Sequence, residues 1–249
     1  MSSDDRGRDE GRTERRLSTG QIVDLPLACE FTAAGGLFPA SARRLAARLP
    51  ERLSPVRVAP GTGAVALVSI EYHYVGGLEP YDEFAVAVPV VADARTELPG
   101  AQLLGADVGG YVDWLPVTTE ASVALGTEIW GYPKELATID VEDRGGVRRT
   151  TVSVGGGRVL TLGVGRASGR DRGLTARSYT VKDSRLLASR AALAGEFAVR
   201  PLSRRVSLSL GDHDRADALR ELGVRGRSLG RLYAPRARAR LGPGRPAGE

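Results

Sequence analysis

Cysteine is almost absent from this chain: Cys29 stands alone. A single thiol excludes an intramolecular disulfide and any multi-thiolate metal site, and it reads as a small buried hydrophobe rather than a nucleophile. Histidine is nearly as scarce, with only His73 and His213. Glu71 and His73, two residues apart, have no third ligand convincingly placed, so no metal is expected. The glycine pairs and the triplet at 155–157 lack the P-loop Lys-Ser/Thr and the dinucleotide Gly-x-Gly-x-x-Gly context, and no cofactor is expected. No stretch approaches the roughly 18 apolar residues of a membrane helix. Residues 1–16 are polar with alternating signs, unlike a signal peptide. The expectation is a cytoplasmic protein with no membrane partner.

Lysine is the scarcest charge. Of 35 basic residues only Lys134 and Lys182 are lysines. Arginine's guanidinium stays protonated, whereas a desolvated lysine amine can lose its proton and attack a carbonyl carbon. Lys134 sits inside the apolar, Gly/Pro-bent segment Glu128-Ile129-Trp130-Gly131-Tyr132-Pro133-Lys134-Glu135-Leu136-Ala137, which makes it the candidate for amine chemistry. The competing reading is a solvated strand-edge lysine that blunts unwanted sheet pairing. Composition alone favours that second reading, because charged residues are mostly exposed.

The local sequence shifts the balance. The segment resembles the acetoacetate decarboxylase family, whose members carry a Schiff-base lysine in a Tyr-Pro-Lys-Lys-Leu type motif; here Tyr132-Pro133-Lys134 is followed by Glu135 and Leu136. Upstream, Pro80-Tyr81-Asp82-Glu83 and the alternating run 84–91 resemble the family's Tyr-x-Glu segment, which supplies an active-site carboxylate. The run 206–213 and the helical stretch after it are similar to the end of these domains. The resemblance covers roughly residues 20–241, and the lysine motif is its most specific part.

The resemblance implies a lysine-dependent enzyme acting on a small keto acid, with decarboxylation of a β-keto acid as the default. Aldolase-dehydratase chemistry on pyruvate-like substrates and a non-catalytic ligand-binding relative stand as alternatives. It also implies Lys134 as the Schiff-base residue, Glu83 as the carboxylate that orients substrate or relays protons, Tyr81, Trp130 and Tyr132 as substrate-binding neighbours, and a large homo-oligomer.

Two departures from the family pattern stand out. Glu135 replaces a second lysine, and a carboxylate close to the amine favours its charged form. Successive side chains on an extended segment point to opposite faces. If Glu135 faces away, burial beside Trp130 and Tyr132 is left to favour the neutral amine. The family's substrate-holding arginine near the N-terminal strand has no counterpart, since no arginine occurs between Arg16 and Arg43.

By alternation Glu71 and His73 share one face of a strand, and Ile70, Tyr72 and Tyr74 the other. Pointing inward, Glu71 and His73 would help handle protons beside Lys134, and His73 would also contact substrate. His213 reads as part of a helix cap.

Fold class follows from the strand-like runs. Residues 64–75, 83–91, 111–115, 138–143, 148–154, 158–165, 178–187 and 206–210 are rich in residues that favour strands and are separated by glycine-containing turns. They predict an α+β, mostly β domain: a closed or strongly curved antiparallel β-sheet, by resemblance an acetoacetate decarboxylase-like barrel, with a few short flanking helices. Helices are expected at 41–49, at 119–127 with Thr119 as cap, and at 215–222. Residues 1–18 read as a disordered tail, 19–241 as the domain and 242–249 as a C-terminal tail.

A net charge of +5 and a pI near 9.7 raise the question of nucleic acid. The arginines, however, are interleaved with carboxylates except near the C-terminus, at Arg225, Arg227, Arg231, Arg236, Arg238, Arg240 and Arg245. That group reads as a phosphate-binding face or as a solvated or subunit-contacting surface. The lack of a nucleic-acid motif or an aromatic stacking cluster favours the latter, and no nucleic-acid partner is expected.

Overall fold

Alternation of apolar and polar residues sets most of the chain in strands. The computed structural model describes residues 12–94, 96, 98–99, 107–224 and 227–248. In chain order the elements are β1 (Thr13–Arg16), β2 (Ile22–Leu25), β3 (Leu27–Ser41), α1 (Ala42–Ala46), β4 (Leu53–Pro55), β5 (Thr62–Val75) and β6 (Tyr81–Ala92). Next come β7 (Asp107–Val117), α2 (Glu120–Trp130), β8 (Lys134–Leu136), β9 (Thr138–Arg144), β10 (Val147–Val154) and β11 (Gly157–Gly165). The chain ends with β12 (Arg170–Lys182), β13 (Arg185–Pro201), β14 (Val206–Leu210), α3 (Asp214–Glu221), β15 (Gly230–Leu241) and β16 (Arg245–Pro246).

Strands β6, β5, β3, β15, β13, β12 and β7 are hydrogen-bonded in that order, and β7 returns to β6, closing a seven-strand barrel. Neighbours are antiparallel except β7 and β12, whose parallel seam joins only Gly110 and Tyr111 to Ser178 and Tyr179. Closure removes exposed sheet edges. A second sheet, in the order β14-β11-β10-β9, packs against the wall.

Each wall face buries its own core, as a period of two requires. On β6, Phe84, Val86 and Val88 enter a cluster with Leu160, Leu162 and Val164 of β11, Leu45 of α1 and Leu219 of α3. Tyr81 on the same strand faces a second cluster with Val23 and Leu25 of the β1–β2 hairpin and with Leu125 and Trp130 of α2. Burying each such side chain contributes about 1.5–3 kcal/mol.

Helix α2 is the element that delivers the site. The Thr119 side chain accepts from the Ser122 amide, and Glu120 stands in the first turn near the positive end of the helix. The helix stops at Gly131, whose φ of 67° is left-handed and easy for glycine alone. It runs through Trp130, three residues beyond the predicted end.

Other expectations need correction. Residues 1–11 of the predicted tail lie outside the described residues, but Thr13–Arg16 is a strand paired with Ile22–Leu25. At the other end, Arg245 and Pro246 pair with Ala188 and Leu187 of β13. The single strand predicted over 178–187 is a hairpin between β12 and β13, turning at Asp183 and Ser184 with φ of 49° and 61°. Charged residues at such a turn imitate a solvated strand. Strands β3 and β15 were not predicted. Among the described residues no helix is long and apolar enough to cross a membrane.

Candidate active site

Lys134 opens β8, which lies parallel to β7 with Lys134 opposite Leu115. The turn before it is fixed by backbone bonds: the Tyr132 amide donates to the Gly126 carbonyl at 3.1 Å, and the Leu115 amide to the Pro133 carbonyl at 3.1 Å. Pro133 has no amide to contribute, so the bend passes directly into β8.

The Lys134 side chain returns across α2 at Gly126, where a Cβ would lie 2.4 Å from its Cε and 2.5 Å from its Cδ. Its Nζ is 2.8 Å from Glu83 Oε2, with the two side chains 3% and 7% exposed. Nζ also donates to the Tyr81 hydroxyl at 3.4 Å and sits 5.1 Å from that ring's centre. The other oxygen of Glu83 accepts from the Tyr72 hydroxyl at 3.4 Å. Tyr72 packs on Tyr81, with ring centres 4.8 Å apart, and edge-on to Phe31 at 5.8 Å.

Burial, and secondarily the charge of Glu83, hold the Tyr72 and Tyr81 phenols well above their ordinary range. Both therefore stay protonated, Tyr72 donating to Glu83 and Tyr81 accepting from Lys134. Cys29 shares this environment. Burial first, then Glu83, push its thiol up to about 12, while Lys134 opposes them. Tyr132 is also pushed up to about 12 by burial, and its hydroxyl pairs with Ser178 at 2.8 Å.

Glu135 turns the other way. Its Oε2 accepts from Trp114 Nε1 at 2.7 Å and from Arg215 Nε and Nη2 at 3.1 and 2.8 Å. Consecutive residues of β8 thus serve opposite faces of the wall.

The structure gathers Lys134, Glu83 and Tyr81, with Tyr132 close enough to feel the charge of Glu83. It does not bring Glu71 or His73 there. Glu71 pairs with Arg148 of β10, and His73 Nε2 meets Thr32 Oγ1 at 2.9 Å. On β5 the alternation holds for Ile70 and Tyr72, which face the cluster of Tyr81, but it breaks at the bulge opposite Glu30 and Phe31, leaving Tyr74 exposed and Val75 buried; Tyr72 is the residue that points to Glu83. The inward roles of Glu71 and His73 are withdrawn. Trp130 is held by its Nε1 on the Gly242 carbonyl at 2.8 Å and stacks on Tyr132 at 5.7 Å, a buried packing position.

Tyr72 and Gly126 were not among the expected site residues, whereas Cys29 is buried as a small hydrophobe should be. Only Gly126 left a signal, since a glycine inside a helix costs about 1 kcal/mol against alanine and implies a packing reason. Among the described residues no group of three or more His, Cys, Asp and Glu is placed to hold a metal. A cleft of about 850 Å³, lined by Glu30, His73, Asp171, Glu196, Arg236 and Arg238 among others, does not include Lys134 or Glu83.

Barrel and pair together define a class: β-barrel proteins that keep one lysine amine beside a carboxylate, away from water. Residues 18–183 match the family described as acetoacetate decarboxylase (ADC), and the chain belongs to that family. No curated protein matches it by sequence. Among solved structures it is similar to the acetoacetate decarboxylase of Legionella pneumophila, with TM-score 0.64 and 16% identity over 100% of this chain and 98% of that one. Another acetoacetate decarboxylase has TM-score 0.64 and 18% identity over 90% and 91% of the two chains. The enduracididine biosynthesis enzyme MppR complexed with pyruvate has TM-score 0.60 and 18% identity over 95% and 98%. At these identities the structural likeness shows the fold.

Proposed function

We propose that this protein is a Schiff-base-forming lysine enzyme that acts on a small keto acid, with decarboxylation of a β-keto acid as its reaction. The observation that carries the proposal is the buried contact of Lys134 Nζ with Glu83 at 2.8 Å. A lysine serving only as surface charge would remain in water.

In the proposed cycle Glu83 accepts a proton from the ammonium, leaving a free amine. The amine adds to the substrate ketone, and loss of water gives a protonated imine. The bond to the β-carboxylate breaks, carbon dioxide leaves, and the released electron pair moves into the cationic imine to form an enamine. A proton returned to carbon, through Glu83 as carrier, restores the imine. Water then releases the ketone and regenerates Lys134. Tyr72 and Tyr81, protonated throughout, hold the carboxylate and the amine in register. Because the Lys134 side chain is 3% exposed, substrate entry requires the surrounding side chains to move.

The test is reductive trapping. Borohydride added with acetoacetate or pyruvate should leave added mass on the peptide that contains Lys134. No adduct with either compound, or with related ketones, refutes imine chemistry.

The similarity to MppR supports a second reading. That enzyme is known complexed with pyruvate and with the condensation product of pyruvate and imidazole 4-carboxaldehyde. The same lysine would then serve aldol condensation and dehydration. Carbon dioxide release from acetoacetate, compared with condensation of pyruvate and an aldehyde, separates the two readings.

A further inference from the structure

Arg231, the second residue of β15, is a buried charge without a counter-charge among the described residues. It is 9% exposed and alternates with Tyr233, which faces the cluster beneath the second sheet, so it lies on the wall face opposite Lys134. Its Nη1 donates to the Gly165 carbonyl at the end of β11. Its Nε is buried and has no partner among the described residues. The Nε donor, one half of the fork that grips a carboxylate or phosphate with two parallel bonds, is thus left unsatisfied.

The neighbours add like charge. Arg200 on β13 stands directly opposite Arg231, and like charges facing each other across a sheet are destabilising. Arg205 approaches from the other side: its Nε is 2.9 Å, and Arg231 Nη1 2.6 Å, from the point where a Cβ on Gly165 would sit. Glycine at that position is what lets two guanidinium groups close on one peptide. Burial first, then Arg205 and Arg200, push the Arg231 guanidinium downward, and no carboxylate of the described residues opposes them. None of the three arginines forms an ion pair with a described carboxylate. A buried, unpaired cation among cations is strongly unfavourable unless an anion completes it.

We propose that Arg231, Arg200 and Arg205 form a binding site for a phosphate-class oxyanion, either free phosphate or the phosphate group of a small molecule. Three neighbouring positive charges favour a dianion over a monocarboxylate. The fork of Arg231 supplies direction, and the exposed Arg200 and Arg205 supply attraction beside it. The site is independent of the imine chemistry, because its residues lie on the other face of the barrel wall.

The test uses the full chain titrated with inorganic phosphate at constant ionic strength, with chloride and acetate as parallel arms. Saturable binding by calorimetry, with a rise in melting temperature that tracks occupancy, is expected for phosphate and not for chloride or acetate. An acetate response equal to that of phosphate overturns the phosphate assignment. The double variant Arg200→Gln with Arg205→Gln changes only exposed side chains and should weaken phosphate binding by about tenfold or more. Arg231→Lys, which keeps the charge but removes the fork, should weaken it as well. A phosphate response that chloride reproduces, or that the double variant leaves unchanged, overturns the proposal. So does a double variant that dissociates an oligomer while the parent shows no phosphate binding, since a carboxylate of a second copy would then be the counter-charge.

Discussion

Gly126 lies directly beneath the lysine side chain: a Cβ on it would stand 2.4 Å from Lys134 Cε. The conflicting atoms belong to the far end of a flexible side chain, so Gly126→Ala would be relieved by displacing the amine rather than the helix. Alanine is also the better helix former by about 1 kcal/mol. The variant should melt at or above the parent temperature while its reductive trapping and turnover fall about 100-fold, the order expected for a reacting group misplaced by about 1 Å. Parental trapping in a folded variant would show that Lys134 does not need this clearance.

Glu83 is the nearest carboxylate to the amine, 2.8 Å from Nζ. In Glu83→Gln the shape persists, but the proton acceptor and the counter-charge are gone. Turnover should drop by about 10²–10⁴-fold, the usual contribution of a positioned acid–base group. Steady-state decarboxylation rates across pH provide the check. A variant retaining a third or more of the parental rate would remove Glu83 from the chemistry.

How much of this was legible in the sequence depends on which interactions are local. The lysine motif, the Thr119 cap and the strands 138–143, 148–154 and 158–165 were readable because turn residues and alternation act within a few positions. The outward turn of Glu135 was an open alternative, and Trp114 and Arg215 on distant elements resolve it. The face of β5 was not readable, since a period of two separates Glu71 and His73 from Tyr72 without saying which side is dry. Strand β3 carries Ala33, Ala34, Gly35 and Gly36 at its centre, residues of low strand preference. It is held by pairing with β5 and β15. The arginines of β15 looked like a solvated run, yet Arg236 and Arg238 are exposed while Arg231 is buried. Arg225 lies outside the described residues.

Cys29 gives a chemical test of how dry the neighbourhood of Lys134 is. With its thiol pushed up to about 12, almost no thiolate exists at pH 8, and the thiolate is the reactive form. Iodoacetamide should leave Cys29 unmodified in the native protein and label it fully after denaturation. Rapid native labelling would mean that water and reagent reach the cluster.

Asp113, on β7 beside Trp114, gives a test of stability against pH. Burial raises its carboxyl above the ordinary value, and the opposing pull of Arg48 and Arg215 is smaller. The folded state therefore holds this proton more tightly than the unfolded state. That contribution is fully present below the unfolded value of about 3.9 and is lost as pH rises through the higher folded value. Asp113→Asn mimics the neutral acid and does not titrate. The variant should gain stability over the parent at neutral pH, and the gap should shrink as the pH falls toward the acid range. Urea midpoints of both proteins at several pH values measure it. Since desolvation outweighs two arginines here, a gap that instead widened on acidification would mean that the ionised carboxylate is stabilised by those arginines.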